Sequence, residues 1–257
     1  MRKSADEIRN LQIDPVTKLY YVELPKPSME DQRSDLDRIA EELESTWGIS
    51  KLSWSMAFLT KLSPALRAGE VYGGEFKATV AVRDETEAVA IWPGFKDRLF
   101  GIAFDVGTTT VAGHLCALDN GEVIASAGVM NPQIRFGEDL MSRISYLQQN
   151  EGSAPELTSA IREALRELTE NLCEEAQVDA DDVVEMTLVG NPTMHHLVLG
   201  IDPTQLGVEP FPLILDTGIS VLAPQLGIPI NPGGYGYFLP CIAGHVGADT
   251  AGVILSQ

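Results

Sequence analysis

The fold is decided by the stretch Gly101-Ile102-Ala103-Phe104-Asp105-Val106-Gly107-Thr108-Thr109-Thr110. Its apolar first half predicts a buried strand, and Asp105 stands where that strand ends. Gly107 lets the backbone come close to a phosphate, and consecutive N–H groups at such a turn form an anion-binding concavity. The three threonines that follow Gly107 add hydroxyl donors. The stretch therefore predicts a strand that leads into a phosphate-binding turn.

Asp105 is the candidate catalytic residue and metal ligand of this turn. A carboxylate at the end of a buried strand is placed to hold a hydrated Mg²⁺ against phosphates. The alternative is a plain hairpin, in which the Asp, Gly and Thr residues satisfy only the turn itself. Because the chain has neither a GxxxxGK[ST] loop nor a GxGxxG motif, a Walker A site is excluded and a Rossmann dinucleotide site is disfavoured.

The region after the turn alternates predicted strands and helices. Strands are predicted at residues 99–105, 111–118, 123–127, 183–189 and 237–240, and helices at 140–149, 153–176, 193–199 and 248–255. Asn120-Gly121 is typical of a tight hairpin. Residues 200–232, with several prolines and few periodic signals, are predicted to be an excursion. This order predicts an α/β fold with a mixed sheet, namely one ribonuclease-H-like subdomain of the actin-like ATPase fold.

A smaller domain is predicted upstream of that region. Strands are predicted at residues 18–24, 76–82 and 88–92, a helix at 31–47, and a mixed strand and helix segment at 52–66. The order predicts a small α+β middle domain over residues 13–98, after a linker end at 1–12. Residues 99–257 are then the N-terminal part of the ATPase domain.

Two later segments add candidate nucleotide-binding residues, namely Gly190, Asn191, Gly244, His245 and Gly247. Asn191 is predicted either to reach a cleft near a γ-phosphate or to form only a strand-end turn. His245 is a candidate for contact with a phosphate or a water, against a hydrogen-bonded structural role. Small residues at the start of a helix permit close packing between domains. Asp249 is predicted to be a charge at the N-terminus of that helix.

Five further polar positions have roles that the sequence leaves open. His195 and His196 are adjacent, so on a helix they point about 100° apart and are predicted to pack or cap rather than to bind a metal as a pair. Arg135 and Arg143 are candidates for contact with a protein partner, with exposed salt bridges as the alternative. Asp139, in Gly137-Glu138-Asp139, is predicted to cap the following helix.

The composition excludes some classes of partner. With 37 acidic and 18 basic residues the net charge is −19, which disfavours nucleic acid and anionic membranes. The three cysteines are too far apart to build a local zinc or iron–sulfur site. No signal peptide is visible, and no apolar run approaches the roughly 20 residues that span a bilayer. These features predict a cytoplasmic protein.

Several motifs resemble a known family. The run of residues 101–110 resembles the first phosphate motif of the superfamily that contains acetate and sugar kinases, heat-shock chaperones and actin. Three longer motifs resemble the reductive activators of corrinoid proteins, and they are Asn131–Asp139, Val189–His196 and Leu239–Thr250. The resemblance covers nearly the whole chain.

The resemblance implies ATP-dependent reductive activation of a corrinoid protein. In this family ATP helps an electron move uphill from an iron–sulfur cluster to Co(II), which restores the methyl-accepting Co(I) state. The implied cofactors are ATP and Mg, with a [2Fe-2S] cluster expected only in an N-terminal domain that this sequence lacks. The second phosphate motif and the adenosine motif are also lacking. The resemblance therefore predicts an inactive fragment, whose exposed edge favours association, including a homodimer.

Two alternative functions remain open from the sequence. A small-molecule kinase of the same superfamily would need a sugar or acid pocket, to which Gln133–Asp139 would contribute. A non-catalytic interaction module would use the half-cleft only as a scaffold. Three assays distinguish these functions. Co(II) reduction indicates the reductive activator, phosphate transfer to a metabolite indicates the kinase, and ATP-independent binding to a corrinoid protein indicates the interaction module.

Overall fold

The computed structural model describes residues 13–68, 74–244 and 246–255, which form two β-sheets with helices packed against them. The predicted linker at residues 1–12 and the candidate His245 lie outside the described residues. None of the helices in the described ranges is both long enough and apolar enough to cross a membrane.

The first sheet is small and has the strand order β1-β3-β4-β2. Strands β1 and β4 run antiparallel to β3, and β2 pairs with β4 in parallel. The strands are β1 (Thr17–Glu23), β2 (Ser53–Trp54), β3 (Lys77–Arg83) and β4 (Glu87–Pro93), and the helices are α1 (Asp35–Trp47) and α2 (Met56–Leu66).

Helix α1 starts later than the predicted residue 31. The side chain of Ser34 accepts a hydrogen bond from the Asp37 backbone N at 3.0 Å, so this cap sets the start of the helix. The helix ends at Gly48, whose φ of 72° lies in the left-handed region that glycine adopts without strain. Both boundaries therefore have a local cause in the sequence.

The second sheet has six strands in the order β7-β6-β5-β8-β10-β9. Strands β5 to β7 form an antiparallel meander, while β8 and β10 continue the sheet in parallel with β5. The strands are β5 (Phe100–Val106), β6 (Thr110–Ala117), β7 (Val123–Met130), β8 (Val183–Gly190), β9 (Ile219–Leu222) and β10 (Tyr235–Phe238). This arrangement confirms the predicted mixed sheet.

Five helices accompany the second sheet, and the longest covers its core face. They are α3 (Leu140–Gln149), α4 (Ala154–Ala176), α5 (Pro192–Leu199), α6 (Ala223–Leu226) and α7 (Ala248–Leu255). The leucines of α4 at positions 157, 165, 168 and 172 are fully buried in one cluster with Ile102 and Phe104 of β5. Helix α4 packs mainly over β6 and β7, next to β5, which carries the predicted phosphate turn.

The prediction of residues 200–232 as an excursion is wrong in part, because the segment contains β9 and α6. Strand β9 has only four residues and pairs antiparallel with β10 at the edge of the sheet. Such a short edge strand is stabilised by its partner strand rather than by its own periodicity. The polar loop after β7 likewise contains a 3₁₀ helix, Pro132–Phe136.

The two sheets contact each other through a small apolar cluster and several polar links. The cluster joins Ala81, Val89 and Ala90 to Leu99 and Val184. The polar links run from the Thr17 backbone N to Glu185 Oε1 (2.8 Å), from the Tyr235 hydroxyl to Glu87 Oε2 (3.1 Å) and from Lys96 Nζ to Asp182 Oδ2 (2.7 Å). Division of the chain into domains at residues 98 and 99 stays a prediction.

Replacing Gly233 with Ala is expected to weaken the contact between the sheets. A Cβ at this position would lie 2.0 Å from the Val89 carbonyl oxygen, so the two backbones must move apart. We expect the free energy of unfolding to fall by about 1–3 kcal/mol, the usual effect of overpacking, in urea denaturation. Gly128→Ala is the matched control, since its Cβ would meet its nearest atom at 3.5 Å. Equal unfolding midpoints for the two variants would contradict this prediction.

Candidate functional site

The candidate phosphate-binding turn, residues 107–110, joins β5 to β6 and is called the phosphate turn below. The Gly107 backbone N donates to the Thr110 carbonyl oxygen at 3.1 Å, which closes the turn. A Cβ on Gly107 would lie only 2.6 Å from that same oxygen. Glycine is therefore required at this position by the close approach of the backbone.

The four carbonyl oxygens of the phosphate turn all accept hydrogen bonds from inside the protein. The Gly107 carbonyl accepts from Asn131 Nδ2 (2.8 Å), and the Thr108 carbonyl accepts from Arg143 Nη2. The Thr109 carbonyl accepts from the Asn131 backbone N (2.9 Å), and the Thr110 carbonyl accepts from the Gly107 backbone N (3.1 Å). The backbone N–H groups of Thr108 and Thr109 have no hydrogen-bond partner among the described residues. With its carbonyls held inward, the turn presents these donors outward, which is the arrangement that binds an anion.

Two carboxylates lie beside the phosphate turn. Burial is the main cause that raises the pKa of Asp105, and the charge of Asp249 is the second. His114 lowers this pKa by a smaller amount. Asp249 lies in the first turn of α7, where its Oδ1 accepts a hydrogen bond from the Thr250 backbone N at 2.8 Å. An acidic pair of this kind suits a hydrated divalent cation, because Mg²⁺ keeps several waters and prefers carboxylate oxygens.

Asp249 was missed as a site residue by the sequence reasoning, which assigned it only a helix charge. The signal that marks it is its position in the first turn of the helix after the glycine-rich run. Only the fold brings this turn to the end of β5, where the charge of Asp249 acts on Asp105.

Three of the other candidates come together next to the end of β5. Gly190 pairs with Val106, and a Cβ on Gly190 would lie 2.9 Å from the Val106 carbonyl oxygen. A Cβ on Gly247 would lie 2.5 Å from both the Gly190 carbonyl oxygen and the Asn191 Cα. Small residues therefore let the start of α7 contact the junction between β8 and α5.

Asn191 and Gly244 have contacts of their own. Asn191 is the N-cap of α5, and its Oδ1 accepts a hydrogen bond from the Met194 backbone N at 3.0 Å. A Cβ on Gly244 would lie 2.4 Å from the Phe211 carbonyl oxygen, which places this glycine against the 200–232 segment. The geometry of Asn191 is that of the strand-end turn, one of its two predicted roles.

The two arginines after β7 differ sharply. The expectation that Arg143 is exposed is wrong, since its side chain is completely buried below the phosphate turn. The reason is the Thr108 carbonyl oxygen of the turn, which accepts a hydrogen bond from Arg143 Nη2. Arg135 is exposed, with its guanidinium 4.7 Å from the centroid of the Phe136 ring. Only Arg135 therefore remains a candidate for contact with a partner.

Asp139 is the N-cap of α3, which the sequence predicted. Ser142 Oγ accepts a hydrogen bond from the Asp139 backbone N at 3.0 Å. The Asp139 Oδ1 accepts hydrogen bonds from the Ser142 backbone N at 2.7 Å and from Ser142 Oγ at 3.0 Å. These hydrogen bonds lower the pKa of Asp139. The carboxylate is thus engaged in capping.

The two histidines of α5 are buried in packing positions. His196 Nδ1 donates to the Pro192 carbonyl oxygen at 2.7 Å, so its Nε2 is free to accept from the backbone N atoms of Ile214 (3.3 Å) and Leu215 (3.4 Å). The ring of His195 packs edge-on against Phe238, with centroids 5.5 Å apart. His196 therefore ties the 200–232 segment to α5.

The strand order, the strand directions and the turn between β5 and β6 define a class of protein. They are those of a ribonuclease-H-like subdomain of the actin-like ATPase fold, with a phosphate turn after its first strand. The chain belongs to the family described as the RACo middle region, whose family model matches residues 100–257. The model described as the RACo linker region matches residues 6–98.

Two related proteins extend this assignment. The corrinoid activation enzyme RamQ of Eubacterium limosum is 39% identical over 157 residues, which are 61% of this chain and 26% of that protein. A solved structure described as a reductive activator for corrinoid, iron-sulfur protein superposes with a TM-score of 0.81 at 33% identity. That match covers 96% of this chain and 39% of the other. The chain therefore spans well under half the length of these relatives.

Proposed function

We propose that the chain supplies one half of the nucleotide site of an ATP-dependent reductive activator of a corrinoid protein. The observation that carries the proposal is the phosphate turn, whose carbonyls are all held inward beside the pair Asp105 and Asp249. The corrinoid part is supported by the family assignment and by the two relatives, a corrinoid activation enzyme and a reductive activator for corrinoid, iron-sulfur protein. The substrate is then the Co(II) corrinoid, which gains one electron and becomes Co(I).

The described residues fit a magnesium nucleotide. The N–H groups of Thr108 and Thr109 face outward as donors for phosphate oxygens, with the hydroxyl of Thr110 alongside. Asp105 would hold Mg²⁺ through water, and Asp249 adds a second negative charge beside it. Gly107 and Gly247 keep the two sides of the site close together. When bound, ATP supplies the free energy that gates electron transfer to the corrinoid.

The remaining parts of the proposal concern the protein in which this half-site works. The electron comes from a [2Fe-2S] cluster, and a second ATPase lobe closes the nucleotide cleft. The partner is a corrinoid protein, for which exposed Arg135 is a candidate contact. The proposed protein also forms a homodimer, is located in the cytoplasm and acts in a methyltransferase system.

ATP is expected to accelerate reduction of a Co(II) corrinoid protein by the full-length protein. We expect the rate, followed by the visible absorption of the corrinoid with a fixed electron donor, to rise at least about tenfold with Mg-ATP. A non-hydrolysable ATP analogue is the control and should not reproduce the increase. Equal rates with and without ATP would contradict the proposal.

The two alternative functions give other outcomes in the same system. Transfer of the γ-phosphate to a sugar or an acid, without cobalt reduction, would identify a small-molecule kinase. Binding to the corrinoid protein that is unaffected by ATP, with no turnover, would identify an interaction module. The carbonyl oxygens of the phosphate turn are held inward, which leaves its N–H groups available to a phosphate. This arrangement favours a nucleotide-binding function over a purely structural interaction module.

A further inference from the structure

Arg143 lies below the phosphate turn on the side opposite to its outward N–H groups. Its side chain is completely buried. Its hydrogen-bond acceptors are the Thr108 carbonyl oxygen, the Gly137 carbonyl oxygen (2.9 Å), Gln133 Oε1 (3.1 Å) and Met194 Sδ (3.2 Å). The guanidinium therefore joins the phosphate turn to the segment that precedes α3.

All of these acceptors are uncharged groups. Among the described residues Arg143 forms no ion pair with a carboxylate, although the charge of Asp139 acts on it from four positions earlier in the chain. Burial lowers the pKa of Arg143 to about 10, so the guanidinium is still charged at neutral pH. A buried ion without a countercharge is strongly unfavourable, because hydrogen bonds to neutral groups replace only part of its hydration.

The position of this charge matters for a ligand. Arg143 contacts the phosphate turn on its carbonyl side, and the free N–H groups of Thr108 and Thr109 are on the other side. An anion bound to those N–H groups is therefore separated from the guanidinium mainly by the turn itself. Solvent screening is weak at a completely buried group, so the attraction is stronger than for a surface arginine.

We propose that Arg143 is a positioning residue of the phosphate turn, and that its buried charge is the countercharge for the bound polyphosphate. This inference rests on the proposed nucleotide site, and it adds that the site prefers ligands with more phosphates. Removing the charge weakens binding of ATP most, of ADP less, and of adenosine least. A residue that only stabilised the fold would not distinguish ligands by their number of phosphates.

The first experiment measures binding of ATP, ADP and adenosine to the full-length protein by calorimetry. Arg143→Gln is expected to weaken ATP binding about 10- to 100-fold, and to reduce the preference for ATP over adenosine by a similar factor. Arg143→Lys keeps the charge but loses the planar fork of donors, so it should retain most of that preference. Equal preference in the wild type and Arg143→Gln would overturn the proposal.

A second variant adds a countercharge and leaves Arg143 in place, although it removes the hydrogen bond from Gln133 Nε2 to the Leu157 carbonyl oxygen (2.8 Å). Gln133→Glu keeps an acceptor beside Arg143 Nη1, where the present distance is 3.1 Å, and adds a carboxylate as an internal countercharge. We expect this variant to weaken ATP binding at least about tenfold, with adenosine binding changed far less. It also provides the test if Arg143→Gln does not fold. Unchanged ATP binding in Gln133→Glu would overturn the role of the charge.

Arg162 offers a matched control within the same chain. It donates to the carbonyl oxygens of Val198 (2.8 Å) and Gln225 (3.2 Å), and burial lowers its pKa, but it does not contact the phosphate turn. Arg162→Gln should lower stability without changing the preference for ATP over adenosine. If the wild type binds no ATP, the proposed function fails. If the wild type binds ATP and Arg162→Gln changes the preference as much as Arg143→Gln, only the present inference fails.

Discussion

Asp105→Asn is expected to lower ATP turnover by the full-length protein about 100-fold or more. Asparagine keeps the shape of the side chain but loses the charge that would hold a hydrated Mg²⁺ against the phosphates. The charge of Asp249 acts on Asp105, and a bound cation would offset the repulsion between these two carboxylates. Steady-state phosphate release at saturating Mg-ATP measures the effect.

The stability of the same variant tells a chemical effect from misfolding. Burial and Asp249 raise the pKa of Asp105, so its ionised form is less favourable in the folded protein than in the unfolded chain. Removing that charge relieves the unfavourable interaction, and the melting temperature at pH 7 should therefore stay equal or rise. Low turnover with a clearly lower melting temperature would indicate damage to the fold instead.

A control for charge alone is Asp119→Asn. Asp119 lies in the hairpin between β6 and β7, near Arg98, with its Oδ1 3.8 Å from Arg98 Nε. Loss of this exposed carboxylate changes the net charge by the same amount and should leave turnover unchanged. ATPase activity that is equal in the wild type and Asp105→Asn would count against the assignment of this aspartate.

Acidification from pH 6.5 to pH 4 is expected to destabilise the protein strongly through His195. Its side chain is only 4% exposed, and neither ring nitrogen has a hydrogen-bond partner among the described residues. Burial, with a smaller effect of His196, lowers the pKa of His195 to about 4. The Leu239 backbone opposes this shift, although its contact falls outside hydrogen-bond geometry.

The sign of the effect follows from proton binding. Between pH 6.5 and about 4 the unfolded chain protonates His195 while the folded protein keeps it neutral. Unfolding therefore takes up a proton in this window, and the free energy of unfolding falls as the pH is lowered. The contribution of His195 over the whole window is up to about 3 kcal/mol. Urea denaturation at several pH values measures it.

His195→Leu should flatten this dependence on pH. Leucine keeps an apolar contact with Phe238 and has no group to protonate, and it leaves no unpaired buried nitrogen. His114→Gln is the control for removal of a histidine, because His114 is exposed and hydrogen-bonded to Ser126. Parallel stability curves for the wild type and His195→Leu would contradict the assignment.

Much of the local structure follows from the sequence. Ser34 and Gly48 bound α1, Asp139 caps α3, and Gly121 with a φ of 73° makes the hairpin after β6. Each of these signals acts within a few residues of the position that it controls. The apolar pattern around Asp105 likewise predicted β5 and the phosphate turn, and the longer motifs indicated the family.

The placement of the site needed the tertiary structure. Strand β9 depends on its pairing with β10, Asp249 reaches Asp105 only through the parallel order of the sheet, and Arg143 meets the Thr108 carbonyl across 35 residues. Such contacts are set by which elements pack together, and the sequence around each residue carries no signal of its distant neighbour. The sequence by itself thus determined most of the elements, the turn between β5 and β6, and the family. The tertiary structure decided which charges surround the turn, because burial and distance exist only in the folded chain.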